Sequence, residues 1–276
     1  MFGARIADLI VALRPAWRRY AERNLTLAFP GMTPGERAAT FRRAVRSWGW
    51  MLAEFARFPR YTAGNIGDAI EVEELHHYEA AAAQGKGVLF LTAHLGAWEL
   101  SSFAHSLNGY PLAYLNRPLD NPLLDRLVNR YRCLGGNHSI DRTNAVRPVL
   151  EELRAGRAVG FLFDQNVVEG QGNVFADFFG VPASTTTGLA RFARKTGAVV
   201  VPGFATWNEV RGKYVLRFEP PVNLAVTQTE DADLLENTTR FNRVIERAVR
   251  RYPDQWLWVH RRWRTRPAGE SALYLD

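Results

Sequence analysis

The chain has 276 residues, 47% of them hydrophobic, a single Cys, and a formal net charge of +7 from 35 Lys and Arg against 28 Asp and Glu. That length and apolar content predict one domain with one good-sized core. The basic balance, nearly all of it Arg, points to an anionic partner such as phosphate, phospholipid headgroup or nucleic acid, without choosing among them. A lone Cys133 excludes an internal disulfide, fits a reducing compartment and reads as a small buried hydrophobe.

In chain order, Phe2, Ile6, Leu9, Ile10, Leu13 and Trp17 recur at helical spacing while Arg5, Asp8, Arg14 and Arg18 fall elsewhere. This describes an amphipathic helix that either lies in a headgroup layer or docks on its own domain. No run approaches the roughly 20 apolar residues of a spanning helix or the apolar stretch of a secretory signal. Thr33-Pro34-Gly35-Glu36 reads as a capping box, and Phe41, Val45, Trp48, Leu52 and Phe55 carry a long helix to about Pro59. The stretch EELHHYEAAAAQG predicts a helix stopped by Gly85, and GVLFLTAH a buried strand.

Helices near 97–107, 121–134 and 144–155 then alternate with the strands PLAYLNR, HSIDR and AVGFLFDQN. Such alternation predicts an α/β fold with a largely parallel sheet covered on both faces. VVEGQGNVFADFFGVPAS reads as an irregular loop over the carboxyl ends of the strands, followed by a helix near 185–195. AVVVPGFATW and KYVLRFEPPV predict a hairpin, making the sheet mixed at one edge, and a final helix carries Phe241, Val244, Ile245, Ala248 and Val249.

TAHLGAWEL places His94 just past a buried strand and Glu99 in the first turns of the next helix, where open α/β sheets keep their sites. Because His94 precedes that helix, geometry permits a His94–Glu99 dyad, with the carboxylate fixing the tautomer and the other ring nitrogen acting as base. The N–H groups of Gly96 and Ala97 are candidates to receive developing negative charge. H-x4-E alone is weak, and a half-buried histidine satisfied by a carbonyl remains the plain alternative.

No histidine pair sits at metal-ligand spacing with a second acidic ligand; His76 and His77, adjacent on a predicted helix, are expected to face different directions and serve the surface. No G-x-S-x-G elbow supports a serine nucleophile. Arg117, Arg130, Arg132 and Arg142 cluster near the same sheet edge as His94 and are candidates for phosphate binding, against the alternative of solvated surface arginines. Asp164 and Gln165, at another strand end, either position substrate or hold one of these arginines. WLWVHRRWRTRP interleaves Trp256, Trp258 and Trp263 with arginines and suits an anionic lipid surface. Stacking on single-stranded nucleic acid is the lesser alternative, since no RNP1 or zinc-finger pattern accompanies it.

Together RNLTLAFPGMTPGER, TAHLGAWEL, NRPLDNPLLD, FLFDQN, FFGVPASTTTGLARFARKTGA and WLWVHRRWRTRP resemble the lipid A biosynthesis lauroyl/myristoyl acyltransferase family, over most of the chain from Arg23 to Pro267. The resemblance implies transfer of a fatty acyl chain from an acyl carrier protein thioester, or acyl-CoA, to a hydroxyl of a lipid A precursor. It implies no metal or cofactor, His94 and Glu99 as catalytic dyad, and functional roles for Arg132 and Asp164. Arg117, Arg142 and Gln165 join these as substrate-binding candidates. The implied location is the cytoplasmic face of the bacterial inner membrane. The family's usual amino-terminal transmembrane helix is missing from the pattern here, so the expected attachment is peripheral, to an anionic membrane surface. The expected layout is a helical, membrane-facing region over 1–60, an α/β catalytic core over 61–267 and a tail over 268–276. Another glycolipid, a lysophospholipid or an ornithine lipid remain alternative acceptors, and thioester hydrolysis an alternative reaction.

Overall fold

The computed structural model describes residues 11–274. The amphipathic pattern of the first residues lies largely outside them. Within them, α1 (Pro15–Ala28) buries Ala21, Asn24, Leu25 and Ala28 against the core. The capping box forms as read: Thr33 and Glu36 reciprocally satisfy each other's backbone N–H groups at the start of α2 (Pro34–Arg57).

A seven-stranded sheet follows, built from β1 (Ile70–Glu73), β2 (Val88–Thr92), β3 (Leu112–Asn116), β4 (His138–Asp141), β5 (Ala158–Leu162), β8 (Val199–Asn208) and β9 (Lys213–Phe218). Its order is β1-β9-β8-β2-β5-β3-β4, and only the β8–β9 hairpin is antiparallel. The mixed, largely parallel sheet of the sequence reading is therefore present. α3 (His76–Ala82), α4 (Trp98–Leu107), α5 (Pro122–Arg132), α6 (Val146–Arg154), α7 (Gly188–Thr196) and α8 (Glu230–Arg251) accompany it.

Both faces of the sheet are covered because successive residues on a central strand point oppositely. Val88 and Phe90 of β2 pack with Leu100 and Phe103 of α4, whereas Leu89 and Leu91 join Leu153 of α6, Phe192 of α7 and Phe241 of α8.

Two elements depart from the sequence reading. β1 went unassigned, being four residues on the sheet edge. The supposed loop after Asp164 contains an antiparallel hairpin, β6 (Asn173–Phe178) and β7 (Val181–Thr186), separate from the main sheet. Its two-residue connection, Phe179-Gly180, has positive φ at both positions, 59° and 75°. Asn or Gly ordinarily marks such a turn, so a phenylalanine hides it. Tertiary contacts hold it there: Phe179 is buried, its amide donates to Glu246 at 2.7 Å, and the Arg250 guanidinium lies 4.5 Å from its ring centre.

Candidate active site

His94 lies two residues beyond β2, in the short loop that leads to α4. The loop passes so close to β8 that a Cβ on Gly96 would sit 2.0 Å from the Ala205 carbonyl oxygen, and Gly96 has φ +62°. Only glycine meets both demands. The Gly96 and Ala97 amides, expected to face substrate, instead donate to the carbonyls of Gln255 and Ala205 at 2.9 and 2.8 Å. They fix the loop and are not available to a developing oxyanion.

The carboxylate that holds His94 is Asp164, not Glu99. Asp164 Oδ1 lies 2.8 Å from His94 Nδ1, and Oδ2 accepts from the His94 amide at 2.9 Å and from the Trp256 indole N–H at 2.7 Å. Asp164, expected to position substrate, is buried at 3% exposure behind His94, and its donors here are the His94 and Trp256 groups. Burial alone would raise its pKa. The charge of His94, with the hydrogen bonds from His94 and Trp256, outweighs that and holds the group down at about 2. An ionised Asp164 only accepts, so Nδ1 carries the proton and Nε2 is left as the basic nitrogen. Nε2 lies 3.4 Å from the side-chain amide nitrogen of Gln165.

Glu99 has a different partner. Starting α4, it grips Arg132 at the end of α5 through two hydrogen bonds, one of them Nε to Oε2 at 2.7 Å. Burial works against the Arg132 charge, but Glu99 more than compensates and the net shift is upward. The Arg132 guanidinium also lies 5.6 Å from the Tyr114 ring centre.

These groups open on a cavity of about 1270 Å³ at the carboxyl ends of the sheet strands, with His94, Glu99, Arg132, Arg117, Arg142 and Gln165 all in its wall. Asp164 stands behind His94, and Arg130 is outside the wall. Deeper, Phe90, Leu112, Leu216 and Phe218 make the wall apolar. Gly203 lets the Phe218 ring lie close against β8, since a Cβ there would come within 3.1 Å of it. The volume exceeds the ~300–1,000 Å³ of an ordinary small-molecule pocket. A basic rim with an apolar interior suits a ligand that is anionic at one end and hydrocarbon at the other.

The carboxyl-terminal segment corrects another expectation. Trp256, Trp258 and Trp263 are fully buried and face no lipid. The segment clamps the site: Leu257 N–H donates to the His94 carbonyl at 3.0 Å and Trp256 braces Asp164. The Asn166 amide donates to His260 Nε2 at 2.8 Å. Burial pushes His260 down to about 4, so it stands as a neutral acceptor. Arg262, wholly buried, donates to the carbonyls of Gln165 and Ser184 and to Thr185 Oγ1, tying the β6–β7 hairpin to the Gln165 strand end. Sequence reasoning missed Trp256, His260 and Arg262 as site supports. Elsewhere, His76 and His77 do not diverge: their rings lie 4.0 Å apart, and with Glu74 their ligand atoms fall within 4.8 Å of one another. None of the three lines the cavity. Cys133 is half-buried near the Tyr114 hydroxyl and also outside the wall.

Residues 1–265 match the family described as bacterial lipid A biosynthesis acyltransferase. The chain belongs to that family. Among its curated members, the lipid A biosynthesis lauroyltransferase of Escherichia coli is 32% identical over 280 residues, covering 99% of this chain and 87% of that protein. The Escherichia coli lipid A biosynthesis palmitoleoyltransferase is 30% identical with the same coverage of each chain. A lipid A biosynthesis acyltransferase of Haemophilus influenzae is 29% identical, covering 92% of this chain and 78% of its own length. A solved 1-acyl-sn-glycerophosphate acyltransferase from Thermotoga maritima aligns with a TM-score of 0.42 at 16% identity, covering 89% of this chain and 97% of that one. Of the positions read from sequence, His94, Glu99, Arg117, Arg132, Arg142 and Gln165 fall on one cavity wall, backed by the Asp164 carboxylate, and Arg130 does not.

Proposed function

We propose that this acyltransferase moves a fatty acyl chain from an acyl carrier protein thioester to a hydroxyl of a lipid A precursor, with His94 as general base and Asp164 as its partner, acting as a single domain at the cytoplasmic face of the inner membrane. One observation carries the reading: a carboxylate-held imidazole, its Nε2 3.4 Å from the Gln165 amide nitrogen, lines a large cavity that is basic at the rim and apolar within. The apolar depth suits the acyl chain, and Arg117, Arg142 and Arg132 suit the phosphates of the glycolipid or of the carrier's prosthetic group. His94 Nε2 takes the acceptor hydroxyl proton as its oxygen attacks the thioester carbonyl. The ionised Asp164 stabilises the imidazolium, which then protonates the departing thiolate. Glu99 is a positioning residue that fixes the direction of Arg132 toward substrate. Base catalysis of this kind contributes about 10²- to 10⁴-fold, with holding two large substrates together adding more.

The test is turnover of carrier thioesters by the purified protein with and without a defined lipid A precursor. Acyl transfer that needs the precursor and is lost in His94→Ala supports the reading. Release of free fatty acid without any acceptor would mean a thioesterase. Transfer only to a lysophospholipid or ornithine lipid would keep the chemistry and replace the acceptor.

A further inference from the structure

We propose that the outward face of α5 is a docking surface for an anionic phospholipid bilayer, placed to feed the acceptor lipid into the cavity. Apart from Tyr131, which packs against Phe55, and the half-buried Val128, the helix is amphipathic in the reverse sense. Its polar residues Asp125, Asn129 and Arg132, four and three apart, point at the protein. Asp125 accepts from the Leu119 amide, Asn129 accepts from Tyr114 and Asn116 side chains, and Arg132 grips Glu99. None of its residues is fully buried. Its leucines face solvent: Leu123, Leu124 and Leu127 are 69%, 50% and 46% exposed, and Leu134, just past the helix end, 47%. A surface helix ordinarily turns its apolar stripe to the core, so an outward stripe of leucines needs another apolar phase to meet.

Charge identifies that phase. Arg126 and Arg130 are exposed and lie only about 60° and 20° around the helix from Leu123. A leucine stripe flanked by arginines suits the boundary between acyl chains and anionic headgroups. Position agrees, because Arg117 and Leu119, just before α5, and Val146, just beyond β4, are exposed and line the cavity. The segment that leads into α5 thus forms part of the cavity wall. A carrier protein would draw on the arginines but has no need of leucines exposed over two turns. No helix among the described residues is long and apolar enough to cross a membrane.

The test is co-sedimentation of the full chain with vesicles of phosphatidylcholine, alone or with phosphatidylglycerol, for wild type, the double variant Leu123→Glu/Leu127→Glu, and Leu235→Glu as an exposed control on α8. Wild type and control are expected to bind the anionic vesicles, and the double variant to bind at least about tenfold less. Its thermal melt and its turnover of detergent-dispersed acceptor should be unchanged, while turnover of vesicle-embedded acceptor falls. Equal vesicle binding by wild type and double variant, or none by wild type, overturns the proposal. So does a double variant whose defect is a lost dimer, which assigns the face to a second copy, or a raised KM for carrier thioester in detergent, which assigns it to the donor. The link to turnover rests on the acceptor proposed above, whereas vesicle binding is read with no substrate present, so the two can fail separately.

Discussion

At the scale of single residues the site is a histidine whose two ring nitrogens do different work because one carboxylate is buried behind it. Trp256 enforces that arrangement by donating to the oxygen of Asp164 that the His94 ring does not use. Trp256→Phe keeps an aromatic ring in place, at the cost of some packing volume, and deletes one charge-assisted hydrogen bond, worth about 1.5–3 kcal/mol. A fall in kcat of about tenfold or more with near-normal KM is expected in steady-state kinetics; an unchanged kcat would show that the indole serves packing alone. Glu99 and Arg132 form the second unit. If Glu99 acts only through Arg132, then Glu99→Gln and Arg132→Gln are strongly non-additive, and the double variant turns over about as slowly as the worse single one. Additive losses would restore a separate role for Glu99.

The elements carry the residues to their places, and here the legibility of the sequence divides. The helix and strand order from β2 to α6 was readable because apolar runs of strand length alternate with 3.6-residue patterns, and His94 was recognisable from its place at a strand end. Its true partner was not, because Asp164 lies 70 residues away, and sequence nearness favoured Glu99. The segment after β5 defeated the reading because its turn uses Phe179 where φ is positive. WLWVHRRW misled for a different reason: tryptophan and arginine together look interfacial, yet here the arginine is buried on carbonyls and a hydroxyl and the indoles fill the core. The tightest element-level constraint is Gly96. Gly96→Ala combines a backbone collision with an unfavourable φ, so a loss of about 3 kcal/mol or more is expected in urea unfolding. A loss below about 1 kcal/mol would mean that the loop relaxes freely.

Across the whole molecule, the buried imidazoles couple stability to pH. His105 sits in the cavity's apolar depth, and burial lowers it to about 4 against a weaker upward pull from the Tyr110 backbone. His260 is lowered to about 4 as well. Both start from an ordinary value of 6.5, so the unfolded chain takes up protons first as pH falls. Their contribution is whole above about pH 6.5 and is lost toward pH 4, at up to about 2.7 kcal/mol per pH unit for two protons. Urea midpoints should therefore drop steeply between about pH 7 and pH 5, and less steeply in His105→Phe. Asp164, lowered to about 2, acts afterwards, its contribution present above about pH 4 and lost as pH falls through 2. A midpoint flat from pH 7 to pH 5 would contradict the neutral burial of both histidines.

The pairing of His94 with Asp164 can be observed directly. In proton NMR of ¹⁵N-histidine-labelled protein at neutral pH, the His94 Nδ1–H, donating to an ionised carboxylate, should give a strongly downfield resonance correlated with Nδ1. That resonance is expected to persist in Glu99→Gln and to vanish or move far upfield in Asp164→Asn. Its survival in Asp164→Asn together with its loss in Glu99→Gln would contradict the assignment and return the dyad to Glu99.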